Sequence, residues 1–180
     1  MSDPIGIVLI MEKSLSISDI SRALSSEIKL DEEDRNGLCD VIWELGGNLI
    51  LRRHHNRFDI IKLLFRHGPL LDDNKGSSDS AMEAIERLMV AAIENLDLSY
   101  GYFSVHPYDV TDEWIENEVL VPLMKRDWDR LSADRYISFH LFALPQTILD
   151  EVEPTATVLH NSLRGRLFRL DESRNPFDGC

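Results

Sequence analysis

The chain opens on an unbroken apolar run, Ile5-Gly6-Ile7-Val8-Leu9-Ile10-Met11, bounded by Pro4 and Glu12. Continuous β-branched character over that length predicts a strand buried on both faces. The period then lengthens. Ile17, Ile20, Leu24 and Ile28 recur at helical spacing, and Ser16 with Asp19 three residues on forms a capping-box-like start. Leu38, Val41, Ile42 and Leu45 predict a second helix over about 32–45, with acids in its first turn and Gly46-Gly47 to stop it.

From Asn48 to Arg53 the pattern reads as a strand. Residues 58–65 fit a helix through Phe58, Ile61, Leu64 and Phe65. The pair Ile60-Ile61 and the polar break His54-His55-Asn56-Arg57 favour a hairpin instead. Residues 72–80 predict a loop, and Asp79 caps a helix over 80–96 whose stripe is Met82, Ile85, Leu88, Met89, Ala92, Ile93 and Leu96. A strand over 98–106 alternates Tyr100, Tyr102, Ser104 and His106 with Gly101, Phe103 and Val105, and Pro107 ends it. Residues 111–131 read as a helix capped by Thr111, which Pro122 must kink or split. A strand over 135–144 stopped by Pro145, a short helix over 146–152 and strands near 155–159 and 166–170 complete the pattern. Helix and strand alternate without a repeat. The expectation is one α+β (or α/β) domain over 1–170, a mixed β-sheet with helices packed on it, and a flexible C-terminal tail over 171–180.

One local resemblance cuts across this reading. Arg57 to Lys75 resembles the second helix and turn of an ankyrin repeat, which implies a helix over 58–66. It covers about a tenth of the chain, with no companion repeat 33 residues away and no Thr-Pro-Leu-His signature.

Length and composition are ordinary for a globular protein: 180 residues, 43% hydrophobic and 28% charged. The balance of charge is not. There are 32 acidic against 19 basic side chains, a net of −13. Residues 1–34 hold eight acids to three bases and 72–134 hold fifteen to five, whereas 35–71 invert to six bases and three acids. Such an excess argues against direct nucleic-acid binding, which needs cationic neutralisation of phosphates, and against an anionic membrane surface. No apolar run approaches the roughly 18–20 residues of a membrane span. The apolar start, with no preceding Lys or Arg and no small-residue cleavage site, is not laid out as a signal peptide. Cys39, expected as an inert thiol in the second helix, and Cys180 make no disulfide framework. A cytoplasmic protein with reduced thiols is expected.

No nucleotide-binding, zinc or nucleophile-elbow motif is present, so no catalytic residue, metal ligand or cofactor is assigned. His54 and His55, adjacent on a strand, would point to opposite faces. His160 reads as part of a turn. His106, with Asp109 and Asp112 downstream, forms a carboxylate–imidazole cluster at a strand end, and His140 reads as a half-buried sheet histidine. If the two strands are neighbours, His106, His140 and a carboxylate define one alternative function, a small hydrolase or metal-dependent enzyme. Arg52, Arg53 and Arg57 form a secondary basic patch, read as a solvated hairpin tip.

Acids and aromatics coincide between 100 and 134. The partner-binding residues expected there are Asp109, Asp112, Glu113, Trp114, Glu116, Asp127 and Trp128. Aromatic anchors rimmed by carboxylates suit a basic protein partner, although Trp114 and Trp128 also sit at helical spacing from apolar residues and equally fit a core position. The favoured function is therefore an acidic, cytoplasmic, protein-binding inhibitor, for example an immunity-type protein that blocks the basic active site of a toxin or nuclease. A homodimer is compatible with this reading. A structural or regulatory subunit of a larger assembly is the other alternative.

Overall fold

The opening apolar run is the strand β1 (Ile5–Met11), buried along its whole length at the middle of the sheet. A computed structural model describes residues 5–33, 38–54, 57–65, 75–128, 130–131 and 139–170. The other strands are β2 (Lys29–Glu33), β3 (Leu38–Ile42), β4 (Asn48–His54), β5 (Phe58–Phe65), β6 (Leu98–Ser104), β7 (Phe139–Pro145), β8 (Thr157–Asn161) and β9 (Gly165–Arg169). They form one sheet in the order β2-β3-β4-β5-β1-β6-β7-β9-β8, antiparallel at every pairing. With helices on both faces, this is a single mixed α+β domain.

Strand alternation divides the core in two. Ile5, Ile7, Leu9 and Met11 face α1 (Ile17–Ala23) and α2 (Lys75–Asn95), where Ile85, Leu88, Met89 and Ala92 meet Leu63, Phe65, Phe103 and Leu141. Val8 and Ile10 face a helical segment on the other side. That segment runs from a 3₁₀ turn (Pro107–Val110) through α3 (Asp112–Trp114), a π-helical turn (Ile115–Leu120) and α4 (Val121–Lys125). Trp114, Ile115, Val119 and Leu120 pack on Tyr100, Tyr102, Phe142 and Phe168, beside α5 (Gln146–Leu149).

The start of α1 agrees with the sequence. The Ser16 hydroxyl accepts from the Asp19 N–H, and the Asp19 carboxylate accepts from the Ser16 N–H. The 111–131 expectation holds in outline, with Thr111 capping α3. Pro122 has no N–H and crowds the carbonyl one turn back, and the helix widens just before it: the Val121 N–H reaches Glu116 O, five residues back. The segment closes at Arg126 in the left-handed conformation (φ 54°).

Four expectations need correction. The second helix over 32–45 is replaced by β2 and β3. Cys39 and Val41 point inward while Asp40 and Ile42 face solvent, a period of two rather than 3.6. Cys39 is accordingly a buried strand thiol. Gly46 and Gly47, at φ 64° and 121°, serve the β3–β4 turn instead of stopping a helix, and a Cβ on Gly47 would lie 2.3 Å from Leu64 O. Second, α2 begins at Lys75, so Asp79 lies inside it and part of the expected loop is helical. Once the apolar stripe fixes a helix, extending it through polar residues costs little. Third, residues 58–65 are the strand β5, paired with β4 at His54↔Phe58, which sets aside the ankyrin resemblance in favour of the hairpin. Fourth, His160 lies in β8 rather than in a turn. The tail 171–180 lies outside the described residues, as does the first part of the 135–144 strand.

Between β5 and β6, β1 has no room to retreat. A Cβ on Gly6 would sit 2.6 Å from Leu63 O and 2.9 Å from Leu64 Cδ2. Gly6→Ala should therefore destabilise the protein by about 1–3 kcal/mol, as overpacking does, read as a lower urea midpoint at unchanged m-value. An unchanged midpoint would show that the sheet yields at this point.

Candidate functional site

The helical segment does not hold its acids on one surface. Asp109, 1% exposed, turns inward, where its carboxylate accepts the Ser104 hydroxyl and its backbone oxygen accepts the Tyr102 hydroxyl at 2.6 Å. Trp114, 4% exposed, packs edge-on against Tyr102 with ring centres 5.9 Å apart. Both therefore belong to the interior: Trp114 takes the core position that its helical spacing from apolar residues allows, and Asp109 leaves the acidic rim in which the sequence placed it. Buried polar groups of this kind are expected to be hydrogen-bonded, and these serve as structural ties.

Asp112 does lie at the surface, its side chain 69% exposed, but it is already engaged. Lys62 rises from the buried face of β5 and donates to the Asp112 carboxylate and, at 2.9 Å, to Val110 O. The ammonium fastens the helical segment to the sheet. Glu113 and Asp127 are exposed, while Glu116 and Trp128 are half-buried, Trp128 against the second core. What remains at the surface of the expected set is Glu113, Glu116, Asp127 and Trp128, with Glu118 half-buried nearby in sequence and Lys125, Arg126 and Arg130 also close by in sequence.

The strand-end cluster is also partly as expected. The His106 ring is largely exposed, with Nδ1 3.8 Å from Asp109 Oδ1, and its backbone N–H donates to Ser104 Oγ at 3.0 Å. Ser104 is fully buried, so its hydroxyl holds Asp109 and faces no solvent. His140 follows Phe139, which is in register with Ser104, so the backbones of His106 and His140 lie at the same end of neighbouring strands. The His140 side chain is outside the described residues. Among the described residues, no group of three or more His, Cys, Asp or Glu is placed to hold a metal ion.

Of the basic patch, Arg52 is exposed on β4. Arg57 pairs with Glu12 at 3.7 Å and lies over the Phe58 ring. The Arg53 side chain is outside the described residues.

Tyr100 and Tyr102 are completely enclosed. Burial raises both phenols well above their ordinary value, and the Asp109 carboxylate adds to the effect at Tyr102. A folded-state value raised in this way means that stability is intact below the ordinary phenol range and is lost as pH climbs through and beyond it. In an alkaline titration these two phenolates should form only together with loss of the far-ultraviolet dichroism. Ionisation of every tyrosine with the dichroism intact would contradict this.

A second acidic surface lies on the opposite face of the sheet, where α2 borders β8 and β9. There a groove of about 510 Å³ has Val90, Ala91, Leu159 and Leu167 at its base and Glu27, Glu83, Glu86 and Glu94 on its walls. Its one guanidinium, Arg87, is held by Glu27 at 3.3 Å and Glu44 at 2.5 Å. Glu94 meets His160 Nε2 at 2.8 Å, and hydrogen bonds from Ser162 and His160 hold its carboxyl below the ordinary range. Glu83 and Glu86 make no ion pair among the described residues. The signal for this site is present in the sequence as the outward complement of the α2 core stripe: Glu83, Glu86, Arg87, Val90 and Glu94 at helical spacing. The sequence does not single it out, because nothing local shows that β8 lies along its other side.

A recess of about 520 Å³ beside it includes Lys13, Arg22, Asp97 and Arg164. Asp97 accepts from Lys13 and Arg164, and Lys13 chiefly keeps its carboxyl below the ordinary range. Arg164 also donates to Ile93 O and Leu96 O, both at 3.2 Å, capping the C-terminus of α2. This recess reads as structural.

Comparison with protein-family models, curated proteins and solved structures finds no match to the chain. Among the described residues, no helix is long and apolar enough to cross a membrane.

Proposed function

We propose that this chain is a cytoplasmic binding protein that engages a basic protein partner through carboxylate surfaces, as an inhibitor covering a basic active site would. One observation carries the reading: among the described residues, eight cations are taken up in intramolecular ion pairs while several surface carboxylates have none. Lys13, Arg22, Arg57, Lys62, Arg87, Arg126, Arg164 and Arg166 each sit in an intramolecular ion pair. Glu83 and Glu86 on one face of the sheet, and Glu113, Glu118 and Asp127 on the other, make none among the described residues. Exposed like charges in such numbers repel one another at short range, and a cationic partner relieves that repulsion on binding.

The test is affinity capture from the source cells at low salt. Wild-type protein is compared with Glu113→Lys/Glu118→Lys/Asp127→Lys and with Glu83→Lys/Glu86→Lys. The reading expects a basic protein that one or both reversed variants fail to retain. Recovery only of neutral or acidic proteins, equally by all three forms, would refute it.

A further inference from the structure

We infer that the groove between α2 and β8 docks an extended basic segment of the partner, a stretch in which Lys or Arg alternates with apolar residues. This rests on the reading of the chain as a binder of basic proteins and gives that binding a location. The groove offers two chemistries at once. Its apolar base of Val90, Ala91, Leu159 and Leu167 suits the aliphatic stem of a Lys or Arg side chain, and Glu83 and Glu86 stand above it to receive the cationic head.

The walls are set before any partner arrives. Arg87 is one turn from Glu83 and would be its natural internal counter-ion. It is drawn away to Glu27 and Glu44. Glu94 is fixed by His160. Among the described residues two carboxylates without an ion pair therefore stand beside anchored neighbours, and less ordering remains to be done on binding. The groove is open and about 510 Å³ in volume, room for a few side chains of an extended segment. A second copy of this chain is disfavoured by charge, since each copy carries −13.

The test titrates the full chain by calorimetry at low salt with a ten-residue peptide of Lys and Arg interspersed with Leu and Ala. Spermine serves as a small polycation control. Two double reversals with identical charge change are compared, Glu83→Lys/Glu86→Lys in the groove and Glu113→Lys/Glu118→Lys on the opposite face, each checked for retained dichroism. The expected result is at least about a tenfold loss of peptide affinity in the groove variant and less than about threefold in the other. Equal losses in both, or a loss only on the opposite face, would overturn the groove while leaving a binder of basic proteins intact. Spermine binding as tightly as the peptide, with the same variant dependence, would overturn the peptide segment in favour of a small polycation. Failure of the wild type to bind the peptide would also overturn the groove. Failure of the reading beneath it shows separately, as loss of no captured basic protein in either reversed variant.

Discussion

Phe103→Ala should cost about 3–5 kcal/mol, the largest loss from any single truncation considered, because large-to-small changes in a closed core lose both transfer energy and packing. Phe103 sits at the centre of the sheet on β6, opposite Ile7 on one side and Leu141 on the other. It is fully enclosed and stacks on Phe65 with centroids 6.1 Å apart and planes 9° from parallel. Neighbouring strands on both sides are held by ladder hydrogen bonds, so the cavity cannot collapse. The midpoint of thermal unfolding should fall by roughly 6–20 °C for a chain of this size. A fall of only a degree or two would mean that the α2 face of the sheet is loosely packed.

Lys62→Ala should be the second largest, about 2–4 kcal/mol, through loss of a buried stem and of the bond to Val110 O. Lys62 is only 6% exposed, and its ammonium is the tie between β5 and the start of the helical segment. Lys62→Met keeps the stem and removes the charge, so it should cost clearly less than Lys62→Ala. Asp112 is mostly exposed and is rehydrated when its partner goes, which keeps the charge loss from adding a large penalty. Chemical denaturation of the two variants side by side checks the order. If Met proved as costly as Ala, the ammonium's bonds to Val110 O and Asp112, and not the stem, would be holding the segment in place.

The elements legible from the sequence are those whose pattern admits a single period. β1 is an unbroken apolar run rich in β-branched residues, the α2 stripe from Met82 to Leu96 repeats over about four turns, and the polar break at 54–57 marks the β4–β5 hairpin. Residues 38–45 admit two periods: Leu38, Val41, Ile42 and Leu45 satisfy helical spacing, yet the strand buries Cys39 and Val41 and leaves Ile42 61% exposed. An outward-facing isoleucine supplied the false helical signal.

The site was legible in sign but not in place. Within the acid-rich stretch 72–134, Glu83, Glu113 and Asp127 are exposed and Glu86 is half-buried. Which acids turn inward depends on partners that only the sheet brings near. Asp109 is buried because Ser104 and Tyr102 end a strand beside it, and Asp112 is engaged by a lysine 50 residues away. The groove wall joins Glu94 to His160 across 66 residues. Periodicity is a local signal and carries no information about such pairs.

In the proposed function, surface carboxylates without an internal ion pair draw in a basic protein partner. Stopped-flow association of the chain with the captured partner, measured across ionic strength, tests it most directly. Steered association predicts a rate constant that falls by about tenfold or more between low salt and physiological salt, with dissociation changing far less. An association rate flat across that range would contradict the account.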